Sequence, residues 1–205
     1  MLPCTASRMP GPTHRPVVPM NIPNLLTLLR VVLIPIFILL FYMPFPGSHL
    51  ASSAVFALAA ATDWLDGYLA RKLGQSTPFG AFLDPVADKL MVAVALVLLV
   101  EEHANLWLTL PAVIIIGREI VVSALREWMA ELGARAHVAV SNLGKWKTAA
   151  QMAALVILLA NAPVFTFWVL LGYGLLIVAA ALTLWSMLHY LLAAWPHLST
   201  TPKEK

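Results

Sequence analysis

Long runs of apolar residues, separated by short polar or proline-rich breaks, make up most of this chain. A helix needs about 20 mostly apolar residues to cross the hydrocarbon core of a bilayer. Six segments qualify, at roughly 24–44, 49–69, 84–101, 106–128, 144–161 and 165–192. Residues that end helices stand in the breaks, such as Pro44, Pro46 and Gly47 after the first segment. The pattern predicts an all-α, polytopic membrane protein with six transmembrane helices.

Composition supports a bilayer as the solvent of these helices. Of the 205 residues, 60% are hydrophobic and only 11% are charged, whereas soluble domains carry about 25% charged residues. A chain of this length cannot hide so much apolar surface in one water-facing core. The net charge of +3 is too small to favour a nucleic acid as partner. The single cysteine, Cys4, excludes an intrachain disulfide bond.

The distribution of Lys and Arg predicts how the helices are oriented. The connections near 45–48, 101–105 and 161–164 contain no Lys or Arg, whereas the opposite helix ends and both tails are basic. Basic residues accumulate on the cytoplasmic side of membrane proteins, so we expect both termini to be cytoplasmic.

We expect three parts along the chain: a disordered leader at 1–20, a membrane domain at 21–195 and a tail at 196–205. The leader holds five prolines and no apolar run of the kind found in signal peptides. Met9 and Met20 are alternatives to Met1 as the first residue of the functional protein.

Four aspartates interrupt the second and third apolar segments where these segments meet. Asp63 and Asp66 are three residues apart, and Asp84 and Asp88 are four apart, so each pair shares one face of its helix. Residues 72–80 contain glycine and proline and are predicted to form a turn. The two helices should therefore bring four carboxylates together near the cytoplasmic boundary.

Ionised carboxylates near a bilayer are costly and repel one another, so this cluster needs positive partners. In one interpretation the positive partners are Arg71, Lys72 and Lys89, which form salt bridges with the aspartates. In the other they are divalent cations, because carboxylate oxygens without His or Cys nearby favour Mg²⁺, Mn²⁺ or Ca²⁺ over zinc. Four carboxylates can hold two such ions, an arrangement that clamps phosphoryl groups. The crowding of the aspartates at one depth favours the metal site.

The run from Asp63 to Asp88 matches the motif D-x2-D-G-x2-A-R-x8-G-x3-D-x3-D at every fixed position. In this run the chain resembles the CDP-alcohol phosphatidyltransferase family. Residues 21–35 and the stretches GREIVVSALREWMAELG and GKWKTAAQM look like the bacterial phosphatidylglycerophosphate synthase branch.

The resemblance implies roles for the residues of the motif. The four aspartates would hold Mg²⁺ or Mn²⁺, as two ions, and Asp88 would also be the general base. The CDP moiety would be bound by Asp63, Asp66, Gly67, Ala70 and Arg71. The implied reaction transfers a phosphatidyl group from CDP-diacylglycerol to an alcohol and releases CMP. No Ser, Cys or His stands in the motif as a nucleophile, which favours direct displacement.

The basic residues of the fourth and fifth segments bear on which alcohol is the acceptor. Arg118 and Arg126 are about 12 Å apart along a helix, and Lys145 and Lys147 begin the next segment. Guanidinium and ammonium groups suit a phosphate monoester, which favours glycerol 3-phosphate. The two lysines fall almost opposite each other on a helical wheel, and we assign Lys145, with both arginines, to the acceptor pocket. Alternatively, Arg118 pairs with Glu119 while Arg126 and Lys145 reach the headgroups.

Other functions stay open at this point. Serine, inositol phosphate or phosphatidylglycerol could be the acceptor, since the donor motif is common to the family. A cation transporter could also use buried carboxylates. Asn24, Thr27 and Arg30, spaced three residues apart, share a polar face of the first segment that could serve either the site or a helix cap. The family resemblance further implies a homodimer, surrounded by membrane lipids in the bacterial inner (cytoplasmic) membrane, with its active site facing the cytoplasm.

Overall fold

The computed structural model describes residues 22–73, 78–131 and 142–198, and these ranges are helical apart from short connections. The described helices, in chain order, are α1 (Ile22–Tyr42), α2 (Ser48–Leu73), α3 (Pro78–His103), α4 (Leu106–Glu131), α5 (Asn142–Ala160) and α6 (Phe167–Leu198). The prediction of an all-α chain is confirmed. The predicted leader and most of the predicted tail lie outside the described residues.

Helix α3 begins earlier than the apolar pattern suggested. It starts at Pro78 instead of near 84, so Gly80 is helical. Of the predicted turn at 72–80, residues 72–73 and 78–80 belong to helices, and residues 74–77 lie outside the described residues. Proline suits the first position of a helix because it needs no hydrogen bond from its nitrogen there. Asp84 and Asp88 therefore lie inside a helix that is already established before them.

Three described helices are long and apolar enough to cross a bilayer by length and composition. The spans are Leu25–Tyr42, Leu106–Met129 and Phe167–His189, and Trp146–Ala160 is a shorter apolar helix. α2 and α3, with 26 residues each, are also long enough to cross a bilayer, but the aspartates interrupt their apolar sequence. Large apolar side chains point away from the bundle throughout; Trp107, for example, is 73% exposed. Such a surface suits contact with lipid, as expected of a membrane protein.

The core of the bundle is made of aromatic and aliphatic side chains from all six described helices. Phe37 and Phe56 are fully buried, with ring centroids 6.0 Å apart. α5 and α6 make the most extensive helix contact. A Cβ atom placed on Gly172 would lie 2.7 Å from Cγ of Leu158, so this close approach requires glycine.

Short connections place successive helices antiparallel. Gly47, with a φ of 97°, permits the turn before α2. Asn105 accepts a hydrogen bond from the backbone N–H of Leu108 at 3.1 Å and so caps the start of α4. The connections at 43–47, 104–105 and 161–166 gather at one end of the bundle, which we call the loop end. The opposite end, where the aspartates lie, is called the aspartate end.

Candidate active site

Helix α1 contacts an aspartate of α2 and an aspartate of α3. That helix packs extensively against both α2 and α3, whereas α2 and α3 touch each other only sparingly. Nη1 of Arg30 lies 2.7 Å from Oδ1 of Asp63 on α2. Thr27, one turn earlier on the same face of α1, donates a hydrogen bond to Asp84 on α3. The polar face of α1, which sequence analysis left open between two roles, therefore contacts the predicted site.

Asp88 connects the aspartates to the rest of the site. It lies one turn after Asp84 on α3, within electrostatic range of Asp63, Arg30 and Glu119. Asp88 lines a small pocket beside Arg30 and also a larger cavity on its other side. Asp88 thus lies between the small pocket beside Arg30 and the larger cavity beside α4.

Several residues of the predicted site cannot be placed by their side chains. Asp66, Gly67, Ala70 and Arg71 belong to α2, and Lys145 belongs to α5, but their side chains lie outside the described part of the structure. The roles predicted for them stay predictions.

The donor atoms at the aspartate end fit a hard divalent cation. Asp63, Asp84 and Asp88 offer carboxylate oxygens only, the ligands that Mg²⁺ and Mn²⁺ prefer. Asp63 also keeps 45% of its side chain exposed although Arg30 is buried beside it. Among the described side chains, however, no three acidic, His or Cys residues are arranged around one point as ligands of a metal ion.

A cavity of about 500 Å³ opens between α3, α4 and α5 beside Asp88. Its walls are mostly apolar, with residues such as Val92, Ile116 and Met152. Its polar lining consists of Asp88, Lys89, Glu119, Ser123, Lys147, Thr148 and Gln151. Lys89 donates a hydrogen bond to Ser123, which ties α3 to α4 at the edge of the cavity. The cavity therefore offers charged groups of both signs next to an apolar surface.

Two of the basic groups meet at one carboxylate beside this cavity. Nη1 of Arg118 lies 2.5 Å from Oε1 of Glu119, and Nζ of Lys147 lies 4.0 Å from the same oxygen. The alternative that pairs Arg118 with Glu119 is thus the arrangement in the structure. Arg126 is exposed and is not among the residues that line the described cavity.

Lys147 is the residue that sequence reasoning placed differently. The helical wheel separated it from Lys145, and Lys145 was assigned to the pocket. In the structure Lys147 is only 7% exposed and lines the cavity with Asp88. The wheel shows only that the two lysines diverge. In the structure α5 presents Lys147 to the cavity, and the side chain of Lys145 lies outside the described residues, so its assignment stays a prediction. A buried lysine beside a cavity is a signal that only the structure provides.

Comparison with known proteins identifies the class to which this fold and site belong. The sequence model of the CDP-alcohol phosphatidyltransferase family matches residues 20–193. Because that match covers most of the chain, the chain belongs to this family, and the resemblance in the aspartate motif is confirmed.

Individual relatives are close and nearly as long as this chain. A Pseudomonas fluorescens protein is 74% identical over 187 residues, which cover 91% of this chain and 96% of the relative. Proteins of Shigella flexneri serotype 5b and Escherichia coli K12 are each 59% identical over 174 residues, which cover 85% of this chain and 94% of the relative. All three are named CDP-diacylglycerol–glycerol-3-phosphate 3-phosphatidyltransferase.

Proposed function

We propose that this chain transfers a phosphatidyl group from CDP-diacylglycerol to sn-glycerol 3-phosphate, giving phosphatidylglycerol phosphate and CMP. The observation that carries the proposal is the complete aspartate motif, of which Asp63 and Asp84 both contact α1. The names of relatives up to 74% identical support glycerol 3-phosphate as the acceptor.

The donor is assigned to the aspartate end. Members of this family are generally metal-dependent, and we assign two Mg²⁺ or Mn²⁺ ions to Asp63, Asp66, Asp84 and Asp88. Ions held there would neutralise charge that develops on the pyrophosphate and make CMP a better leaving group. Gly67, Ala70 and Arg71 follow Asp66 on α2, and with Asp63 and Asp66 they are the proposed contacts of the CDP moiety.

The acceptor is assigned to the cavity between α3, α4 and α5. Arg118 and Lys147 supply positive charge for its phosphate, and Glu119 holds both cations at the edge of the cavity. Arg126 and Lys145 stay in the proposal as outer contacts for an anion that approaches from the end of the bundle. Asp88 lies between this basic group and the other aspartates, where an acceptor hydroxyl can reach it.

The chemistry then follows from the position of Asp88. Its carboxylate takes the proton of the acceptor's primary hydroxyl, whose oxygen forms a bond to the lipid-linked phosphorus. The bond from that phosphorus to the CMP oxygen breaks as the new bond forms. This direct displacement needs no covalent enzyme intermediate.

The proposed setting is the bacterial inner membrane, with six crossings, both termini in the cytoplasm and the active site on the cytoplasmic side. The absence of Lys and Arg from 43–47, 104–105 and 161–166 supports placing the loop end outside. A homodimer is part of the proposal on family grounds. Labelling a cysteine introduced at Ala162, an exposed position of the loop end, with an impermeant reagent in intact cells, after Cys4 is replaced, tests the orientation; protection of this cysteine would contradict it.

CMP release by the purified protein with CDP-diacylglycerol and Mg²⁺, with and without glycerol 3-phosphate, tests the function. We expect release to require glycerol 3-phosphate and to vanish in Asp88→Asn. Glu101→Gln is the matched control, because it makes the same kind of change at the other end of α3 and should leave CMP release intact.

The same assay separates the alternative functions. Release that requires serine, inositol phosphate or phosphatidylglycerol instead would keep the family and reject this acceptor. A folded, metal-loaded sample that releases no CMP with any acceptor would reject the enzyme and favour a cation transporter.

A further inference from the structure

The side chain of Arg30 is among the largest fully buried side chains described, although it lies within an apolar helix that is long enough to span a bilayer. A buried arginine in such a helix is costly unless an anion is fixed next to it. Asp63 is that anion, at 2.7 Å. The pair is asymmetric, because Arg30 is 1% exposed whereas the Asp63 side chain is 45% exposed. Asp63 is therefore held by Arg30 on its buried side and remains open on the other.

Helix α1 acts on both carboxylate-bearing helices through two residues that are one turn apart. Arg30 binds Asp63 of α2, and Thr27 binds Asp84 of α3. Arg30 also lies within electrostatic range of Asp88. Since α2 and α3 touch each other only sparingly, their carboxylates are placed relative to one another mainly by α1.

We propose that Arg30 is a resident counter-ion that holds the aspartates together before a divalent cation binds and that opposes the cation once it arrives. Thr27 has the complementary role of orienting the Asp84 carboxylate as a ligand. This inference rests on the metal site proposed above. Both are positioning residues, because they act on the site through the aspartates.

The two residues are expected to change cation affinity in opposite directions. Arg30→Gln removes a positive charge next to the carboxylates, so Mn²⁺ should bind more tightly, by about tenfold. Thr27→Val keeps the shape of the side chain but removes the hydrogen bond to Asp84. A ligand that is no longer oriented binds its ion less well, so Mn²⁺ should bind about tenfold more weakly.

The experiment uses the full chain in detergent after metal has been removed with a chelator. Free Mn²⁺ is followed by electron paramagnetic resonance during a titration, and thermal unfolding is measured with chelator and with Mn²⁺. We expect the rise in unfolding temperature on adding Mn²⁺ to be larger in Arg30→Gln than in the wild type, because tighter binding stabilises the folded state more. Phe37→Leu is the matched control: it loosens a buried contact of the same helix and should leave Mn²⁺ affinity unchanged.

A double variant keeps the inference testable if Arg30→Gln alone fails to fold. In chelator, Asp63→Asn leaves Arg30 buried beside a neutral partner, so the variant should be less stable than Arg30→Gln/Asp63→Asn, in which the charge is absent. If the double variant also fails to fold, Arg30 is needed independently of Asp63, and the inference is wrong.

The remaining outcomes separate this inference from the proposed function. No Mn²⁺ binding to the wild type would reject the proposed metal site itself. If the wild type binds Mn²⁺ and Arg30→Gln binds it equally well or more weakly, the counter-ion role of Arg30 is rejected but the metal site is not. A higher KM for CDP-diacylglycerol with unchanged Mn²⁺ affinity would show that Arg30 contacts the donor instead.

Discussion

At the loop end, the hydroxyl of Tyr173 lies 2.7 Å from Nδ1 of His103 and accepts a hydrogen bond from Asn105 at 2.7 Å. These groups join α6 to the end of α3 and the start of α4. At the aspartate end, Arg30 and Asp63 join α1 to α2, but α3, α4 and α5 separate around a cavity. At the loop end polar side chains link neighbouring helices to one another. At the aspartate end polar side chains lie beside an open cavity.

From this difference we expect residues at the loop end to contribute mainly to stability and residues at the aspartate end to contribute mainly to activity. The hydroxyl of Tyr173, Nδ1 of His103 and the amide of Asn105 bond to one another across closed helix ends, so they contribute to folding and are not offered to a substrate. Charged groups around a cavity can exchange their protein partners for those of a ligand. Substitutions at the loop end should therefore lower stability without changing turnover per folded molecule, and substitutions at the cavity should do the reverse.

The largest expected effect is at Lys147, on the cavity side of this comparison. Lys147→Met should lower kcat/KM for glycerol 3-phosphate by about 100-fold, the size expected when a charged partner of a phosphate is lost. The unfolding temperature should change little. Steady-state kinetics beside Lys145→Met provide the check, and a larger loss in Lys145→Met would return the acceptor role to Lys145.

Next in size is Gly172, where α6 packs tightly against Leu158 of α5 near the loop end. Gly172→Ala should destabilise the fold by about 1–3 kcal/mol, because its Cβ would overlap the buried side chain of Leu158. Gly174→Ala is the matched control, since a Cβ there meets nothing within 4 Å. Thermal unfolding of both variants in detergent measures the difference, and equal stabilities would contradict the tight packing assigned to this region.

Tyr173→Phe tests the loop end directly. The substitution removes the hydroxyl that His103 and Asn105 share, and it should cost about 1–2 kcal/mol of stability. CMP release at a temperature where the variant is folded should match that of the wild type. A loss of turnover without a loss of stability would show that the two ends are coupled.

The smallest expected effect concerns pH at the loop end. His103 lies beyond the predicted third span, and burial, followed by the nearby His49, lowers the pKa of its ring below the ordinary value of 6.5. The folded state therefore favours neutral His103, and the unfolded state binds a proton first as the pH falls. The stability advantage of the wild type over His103→Gln should be full above pH 6.5 and shrink as the pH falls below it. Unfolding temperatures of both proteins between pH 7.5 and 5.5 check this, and a constant difference would contradict it.

Much of this protein follows from its sequence because the relevant information is local. Apolar runs broken by Pro, Gly and polar residues predicted six helices, and the structure has a helix in each of those places. Helical spacing also predicted that Asp84 and Asp88 share a face. The aspartate motif predicted the family, which the match over 20–193 confirms.

Only the tertiary structure decided which distant residues complete the site. Arg30 and Asp63 are 33 positions apart, and Thr27 and Asp84 are 57 apart, so no local pattern joins them. Lys147 faces the cavity because of the way α5 packs, and Gly172 is required because Leu158 of another helix lies against it. The physical reason is that helical periodicity determines which residues share a face. In helices that are apolar on nearly every side, it does not determine which face turns inward.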